Sequence, residues 1–223
     1  MRTRLFVSFH LRLISLVDGG VMKQAGFILY RTALIFLRDG TPVWLRPIFP
    51  DDKVHLARAF DRLSRQSRYQ RFFSTAQELS PQTLSYLTEI DYANHFALGA
   101  FALDEVDMPL VGGARYIRAR DEPRNAEIAV TVIDDFHRRG LGQALLRALA
   151  EVAVDNGVWR FLGSALWENP PVRRFLREAK AQIVPQGSGV FRFEVDLVAM
   201  ANVLLRPTEW LAQTLNRCAS ECS

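Results

Sequence analysis

The stretch DDFHRRGLGQALLRAL, Asp134 to Leu149, places two glycines two apart directly behind two arginines, and an apolar helical spacing begins at once. The first N–H groups of a helix lack intrahelical partners, and its aligned peptide dipoles leave positive potential there, so a helix start is a ready anion site. Gly140 and Gly142 remove side chains that would keep a phosphate from the main chain, and Arg138 and Arg139 add charge beside it. The stretch reads as a loop that wraps a diphosphate with main-chain donors. The plainer reading is a tight strand-to-helix connection in which the glycines only relieve strain. Two rival phosphate loops fail on residues. Gln143-Ala144 stands where one needs lysine and a hydroxyl residue, and Leu145 stands where the dinucleotide fingerprint needs a third glycine.

Upstream, ALIFLRDGTPVWLRPI is two apolar runs around Asp39-Gly40, a pair suited to a tight hairpin. Pro50-Asp51-Asp52 then opens a helix along which Val54, Leu56, Ala57, Phe60 and Leu63 recur at helical spacing. A second helix starts at Ser80-Pro81, with serine as N-cap and proline at the first helical position. HFALGAFAL, LVGGARYIRA and AEIAVTVI follow as three strands. Downstream come a helix from about Leu141 to Asn156, the strand RFLGSALW, the helix PPVRRFLREAK, and the strands AQIVP and VFRFEVDL. No repeat or linker interrupts this series, which predicts one α/β domain over 33–198.

The flanks are less legible. Leu5, Val7, Phe9, Leu11 and Leu13 alternate as in a strand, so residues 1–32 form an N-terminal extension without an assigned role. His10 and Arg12 break the apolar run that would suit a secretory leader, and the run falls short of the roughly 20 residues of a membrane span. The tail, 199–223, reads as helical around EWLAQTL. Cys218 and Cys222 are the chain's two cysteines, which offers no disulfide framework or zinc spacing and suits a reducing cytoplasm. Of 28 basic residues 25 are arginine, for a net charge of +4. They scatter along the chain instead of gathering in runs, which argues against a nucleic-acid binder. No metal-ligand cluster stands out, and oligomeric state is not legible.

His137-Arg138-Arg139-Gly140-Leu141-Gly142 resembles the cofactor loop of the acetyl-CoA-dependent GNAT N-acetyltransferases, with His137 where that pattern has Gln or Arg. The hairpin, RLSRQSRYQRFFS, LTEIDYANHFALGAF and AEIAVTVIDDFHRRGLG together resemble the bacterial protein lysine acetyltransferase branch, over about Ala33 to Leu197. The resemblance implies a mixed, mostly antiparallel central sheet flanked by helices. It implies acetyl-CoA as co-substrate and a primary amine as acceptor, a protein lysine where the branch holds. Diphosphate contacts are then expected from residues 137 to 143, Gln143 included. Val130 and Val132 are expected to pair their backbones with the pantetheine arm, beside a splayed gap in that strand. Glu127 becomes the general-base candidate, its carboxyl expected to be desolvated ahead of an apolar run. Asn169 is expected to contact the cofactor, to cap the helix starting at Pro170, or both. Seven residues on, Leu176 stands where many members carry a tyrosine acid, and neighbouring Phe175 also lacks a hydroxyl. His55 and His95 read as structural or solvated, whereas Tyr69, Arg71 and Phe72 fall in the region that faces the acceptor in that family, with plain core as the other reading of Phe72-Phe73. Two alternatives stay open: a small-molecule amine or amino-acid acetyltransferase, and a non-catalytic acyl-CoA-binding module.

Overall fold

In the computed structural model the described residues are 32–72, 77–197 and 200. The N-terminal extension up to residue 31, Phe73, the tail around EWLAQTL and both cysteines lie outside them, as does the side chain of Phe72. Eight strands form one sheet in the order β1-β2-β3-β4-β5-β6-β8-β7. Strands β1 (Ala33–Phe36) and β2 (Pro42–Pro47) make the expected hairpin. Gly40 takes φ +87° at its turn, and the Asp39 carboxylate accepts the Thr41 N–H at 3.1 Å. Strands β3 (His95–Ala102), β4 (Leu110–Arg118) and β5 (Asn125–Val132) continue antiparallel. Strand β6 (Arg160–Leu166) joins β5 in parallel, and β8 (Val190–Asp196) and β7 (Gln182–Gly187) close the far side antiparallel.

The helical pattern from Pro50 does not run unbroken. A 3-10 turn at Pro50–Asp52 leads into α1 (Lys53–Asp61), and α2 (Arg65–Phe72) starts afresh. The restart is capped locally and held from afar. The Ser64 hydroxyl accepts the Ser67 N–H at 3.2 Å as the N-cap of α2, and the Asp134 carboxylate, seventy residues on, accepts from the Ser64 N–H at 2.9 Å, the Ser64 hydroxyl at 2.8 Å and the Ser67 hydroxyl at 2.9 Å. Helix α3 (Pro81–Thr88) starts as expected, with the Ser80 hydroxyl accepting the Thr83 N–H. Helix α4 (Leu141–Asp155) buries Leu141, Leu145, Leu149 and Val152, and α5 (Pro170–Glu178) buries Leu176.

Directly opposed residues of an antiparallel pair share a face. Gly113, Arg115 and Ile117 of β4 therefore lie with Thr131, Ala129 and Glu127 of β5. That face is covered by α1, α2 and α3, which line one pocket with it. The opposite face carries Val130 and Val132, and α4 packs there: a Cβ at Gly112, opposite Val132, would meet Leu141 and Leu145 at 3.2 Å. The core thus lies on both sides of β3–β5, centred on buried Phe96, Leu98, Phe101, Tyr116, Leu145 and Leu149.

Candidate active site

Strands β5 and β6 pair only over Asn125–Arg160, Ala126–Phe161 and Glu127–Leu162, although each runs on for several residues. Beyond Glu127 they part. The Ile133 N–H donates to Val111 of β4 at 3.0 Å, and period-2 alternation then turns the main-chain groups of Val130 and Val132 away from β4, along the gap. A free strand edge of this kind pairs with an extended chain. The Val132 carbonyl is already engaged, because His137 Nε2 lies 2.9 Å from it and must carry the proton it donates. The Val130 groups and the Val132 N–H remain for a ligand.

Both partners of this parallel pair point their C-terminal ends at the open end of the gap, the position where α/β crevices hold ligands. From β5 the chain passes a 3-10 turn, Asp134–Phe136, and enters the glycine loop. Arg138 adopts φ +60° and Gly140, the N-cap of α4, φ +93°. The first helical bond inward is Ala144 N–H to the Gly140 carbonyl at 3.1 Å. Among the described residues the main-chain N–H groups of Arg138 to Gln143 have no acceptor, which leaves a row of unpaired donors at the start of α4. Leu141 contributes its N–H alone, since its side chain is buried.

Gly142 is informative because nothing in the fold demands it. A Cβ there would meet only Val132 Cγ2, at 3.9 Å, and φ is not positive. Glycine within a helix costs about 1 kcal/mol relative to alanine. What the missing side chain does provide is clear approach to the free N–H groups.

The hairpin tip braces this loop. The Arg38 N–H donates to the Arg139 carbonyl at 3.0 Å, and its guanidinium donates to Gln143 Oε1 at 3.1 Å. Arg139 pairs with Asp39 at 3.0 Å and lies over the Phe136 ring, 4.6 Å from its centroid. Its charge is therefore already answered within the fold. Arg138, exposed and without a side-chain partner among the described residues, is the free cation of the pair. At the end of β6, the Asn169 side chain accepts the Val172 N–H at 3.3 Å and caps α5. Leu176 of that helix is fully buried, so its place is that of a core side chain.

Glu127 stands at the last paired position before the strands part, with its side chain on the α1–α3 face. It is exposed. The apolar run that follows does not bury it: the side chain stays open to water where β5 and β6 begin to part. Arg71 of α2 lies within electrostatic reach of it. Burial draws the Arg71 guanidinium below its ordinary range, and the Glu127 and Tyr86 oxygens pull the other way. Arg115 lies in the same pocket, pushed down to about 10 by burial first and by Arg71 second. Its Nη1 donates to His95 Nε2 at 3.0 Å and its Nη2 to the Leu87 carbonyl at 3.2 Å. Burial, with Arg115 beside it, drops His95 to about 4, so this imidazole is neutral at physiological pH and accepts through Nε2. Of the residues flagged near the acceptor, Arg71 lines the pocket and Tyr69 is exposed on α2. His55 packs edge-on against Phe101, which is structural. Arg115 and its contact with His95 went unread in the sequence, since β-strand alternation alone does not say which chain covers a face.

Residues 62–180 match the model of the Acetyltransferase (GNAT) family. The chain is 33% identical over 172 residues to acetyltransferase Pat of Mycolicibacterium smegmatis, covering 77% of this chain and 50% of that protein. It is 36% identical over 121 residues to acetyltransferase PA5475 of Pseudomonas aeruginosa, covering 54% of this chain and 64% of that one. The chain thus spans between half and two thirds of these curated relatives. The GNAT domain of S. lividans PAT superposes with a TM-score of 0.68 at 29% identity, over 75% of this chain and 97% of that domain. The parted strands, the free N–H groups and these likenesses agree: the chain belongs to the GNAT acetyltransferase family.

Proposed function

We propose that the protein transfers an acetyl group from acetyl-CoA directly to a primary amine, with a protein lysine as the leading acceptor. One observation carries the first part: the β5–β6 gap opens at Glu127 and ends at the free N–H groups of the glycine loop, so a reactive end and a diphosphate end lie along one crevice. The lysine acceptor rests on the sequence resemblance to the lysine acetyltransferase branch.

Acetyl-CoA, when bound, supplies an activated acetyl group whose bond to sulfur breaks as the acceptor nitrogen bonds to the carbonyl carbon. The N–H groups of residues 138–143 and the Arg138 side chain hold the diphosphate, main-chain donors at a helix start being suited to two negative charges. Val130 and Val132 hold the pantetheine arm along the free edge of β5, and an unpaired N–H of that edge polarises the thioester carbonyl. Glu127 takes the proton that the attacking amine must shed. Phe175 and Leu176 have no hydroxyl and offer the departing thiolate no proton, which leaves water or no acid at all in that role.

Two measurements test this reading. Acetyl-CoA at 100 times its Kd should stabilise the protein by about 2.7 kcal/mol, seen as a raised Tm. CoA release should then require an amine. Unchanged melting at millimolar acetyl-CoA overturns the reading. Binding without CoA release across protein and small-amine acceptors favours the acyl-CoA-binding module, which the missing hydroxyl on α5 would suit.

A further inference from the structure

The pocket beneath α1–α3 has an unusual lining. Its walls are apolar, with Phe60, Leu63, Leu87 and Leu98 among them, yet two guanidiniums line it: Arg71, which faces the Glu127 carboxylate, and Arg115, which among the described residues meets no carboxylate there. Taking charge out of water is tolerated where an opposite charge answers it. Arg115 is answered by neutral groups, the His95 ring nitrogen and the Leu87 carbonyl. Those contacts use two of its N–H donors and leave the others open, and a guanidinium presents its donors in a fork that fits a carboxylate. The plain structural role, bracing α3 against β4, needs only the bond to Leu87 and would be met by a neutral donor.

Position adds to this. Arg115 opposes Ala129, and Glu127 is two residues from Ala129 on the same face, which makes Arg115 and Glu127 diagonal neighbours at roughly 7–8 Å. Arg71 approaches the same carboxylate from α2. An anion on the two arginines therefore lies beside the group that receives the acceptor's proton.

Building on the transferase reading above, we propose that this pocket selects an acceptor whose amine is accompanied by a carboxylate, bound by Arg115 and Arg71, with its apolar portion against Phe60, Leu63 and Leu98. Two sources carry that chemistry. One is a free apolar amino acid, acetylated on its α-amine. The other is an acidic side chain next to a lysine in a protein.

The test compares acceptors that differ only in that charge. CoA release is followed with L-leucine against L-leucinamide, and with the peptides acetyl-Glu-Lys-amide against acetyl-Gln-Lys-amide. Separately, thermal shift is measured with unreactive 4-methylpentanoate against 4-methylpentanamide. In the wild type at least one acid is favoured over its amide about tenfold or more in kcat/KM, the order expected of a charge-assisted bond. The carboxylate, unlike the amide, raises Tm. Arg115→Gln levels both preferences, and Arg115→Lys keeps part of them. Preference confined to leucine assigns a free amino acid, and preference confined to the peptide assigns a flanking acidic residue. CoA release with acids and amides used equally, and no shift from 4-methylpentanoate, overturns this proposal and leaves the transferase reading standing. A 4-methylpentanoate shift lost in Arg115→Gln, with no CoA release from any acceptor, supports the carboxylate pocket and sinks the transferase reading instead.

Discussion

His137 Nε2 and the Val132 carbonyl lie 2.9 Å apart, a bond that ties the glycine loop back onto the free edge of β5. It fixes the loop's departure angle with the residue that breaks the family's usual Gln or Arg pattern. Because loop and edge serve the same ligand in our reading, His137 is a positioning residue for both.

Removing that bond should loosen the loop without unfolding the protein. His137→Ala is expected to weaken acetyl-CoA binding about three- to tenfold, the effect of one net hydrogen bond of about 1 kcal/mol. His137→Gln, which keeps an amide donor, should lose less. Calorimetric titration with acetyl-CoA checks both. Equal affinity in His137→Ala and the wild type would free the loop from this role.

Gly142 separates fold from function by sign. Gly142→Ala adds a methyl that the fold accommodates and replaces a first-turn helix glycine, so Tm should hold or rise, by less than the roughly 1 kcal/mol of a helix-interior site. Acetyl-CoA affinity should fall tenfold or more, since the methyl stands among the free N–H groups. Gly140→Ala should instead lower stability by about 1 kcal/mol or more, because φ +93° is costly for any residue with a Cβ. Loss of stability in Gly142→Ala with unchanged affinity would return the glycine to a structural role.

Glu127→Gln should lower kcat by about 10²–10⁴-fold with little change in acetyl-CoA affinity or in Tm, because the side chain is exposed and acts on the proton alone. Steady-state CoA release with a titration of acetyl-CoA reads the two apart. A variant as fast as the wild type across the pH range would remove Glu127 from the chemistry.

Asp134 should make stability depend on acid pH. Burial pushes its carboxyl up, but the bonds from Ser64 and Ser67 outweigh it and hold the carboxyl below its ordinary 3.8. A lowered folded-state value means the contribution is full above the unfolded value and is lost as pH falls through the folded one. Asp134→Ala should therefore cost about 1 kcal/mol at pH 7, a Tm drop of about 2–4 °C, and the gap to wild type should close below about pH 4. A gap that persists unchanged into acid would show that the carboxylate's charge is not what holds the Ser64 cap of α2.

Local grammar decided much of this protein. Asp39-Gly40, Ser80-Pro81 and Gly140 mark turns and helix starts through the conformations those residues permit, and each stands where its side chain or its lack of one foretold. The unpaired N–H groups at the α4 start were legible for the same reason: they follow from any helix beginning without a side-chain cap.

Tertiary structure decided what depends on distant chain segments meeting. The Ser64 cap that restarts the helix as α2 is local, but its anchor is Asp134, seventy residues beyond Ser64. The division of labour between Arg138 and Arg139 comes from the hairpin tip, where Asp39 claims one guanidinium and leaves the other. The exposure of Glu127 follows from its place where β5 and β6 part, and the Arg71–Arg115 pocket exists only because α1–α3 fold over one face of β4 and β5. A sequence sets backbone preference residue by residue, whereas burial, charge pairing and pocket shape are properties of which surfaces come together.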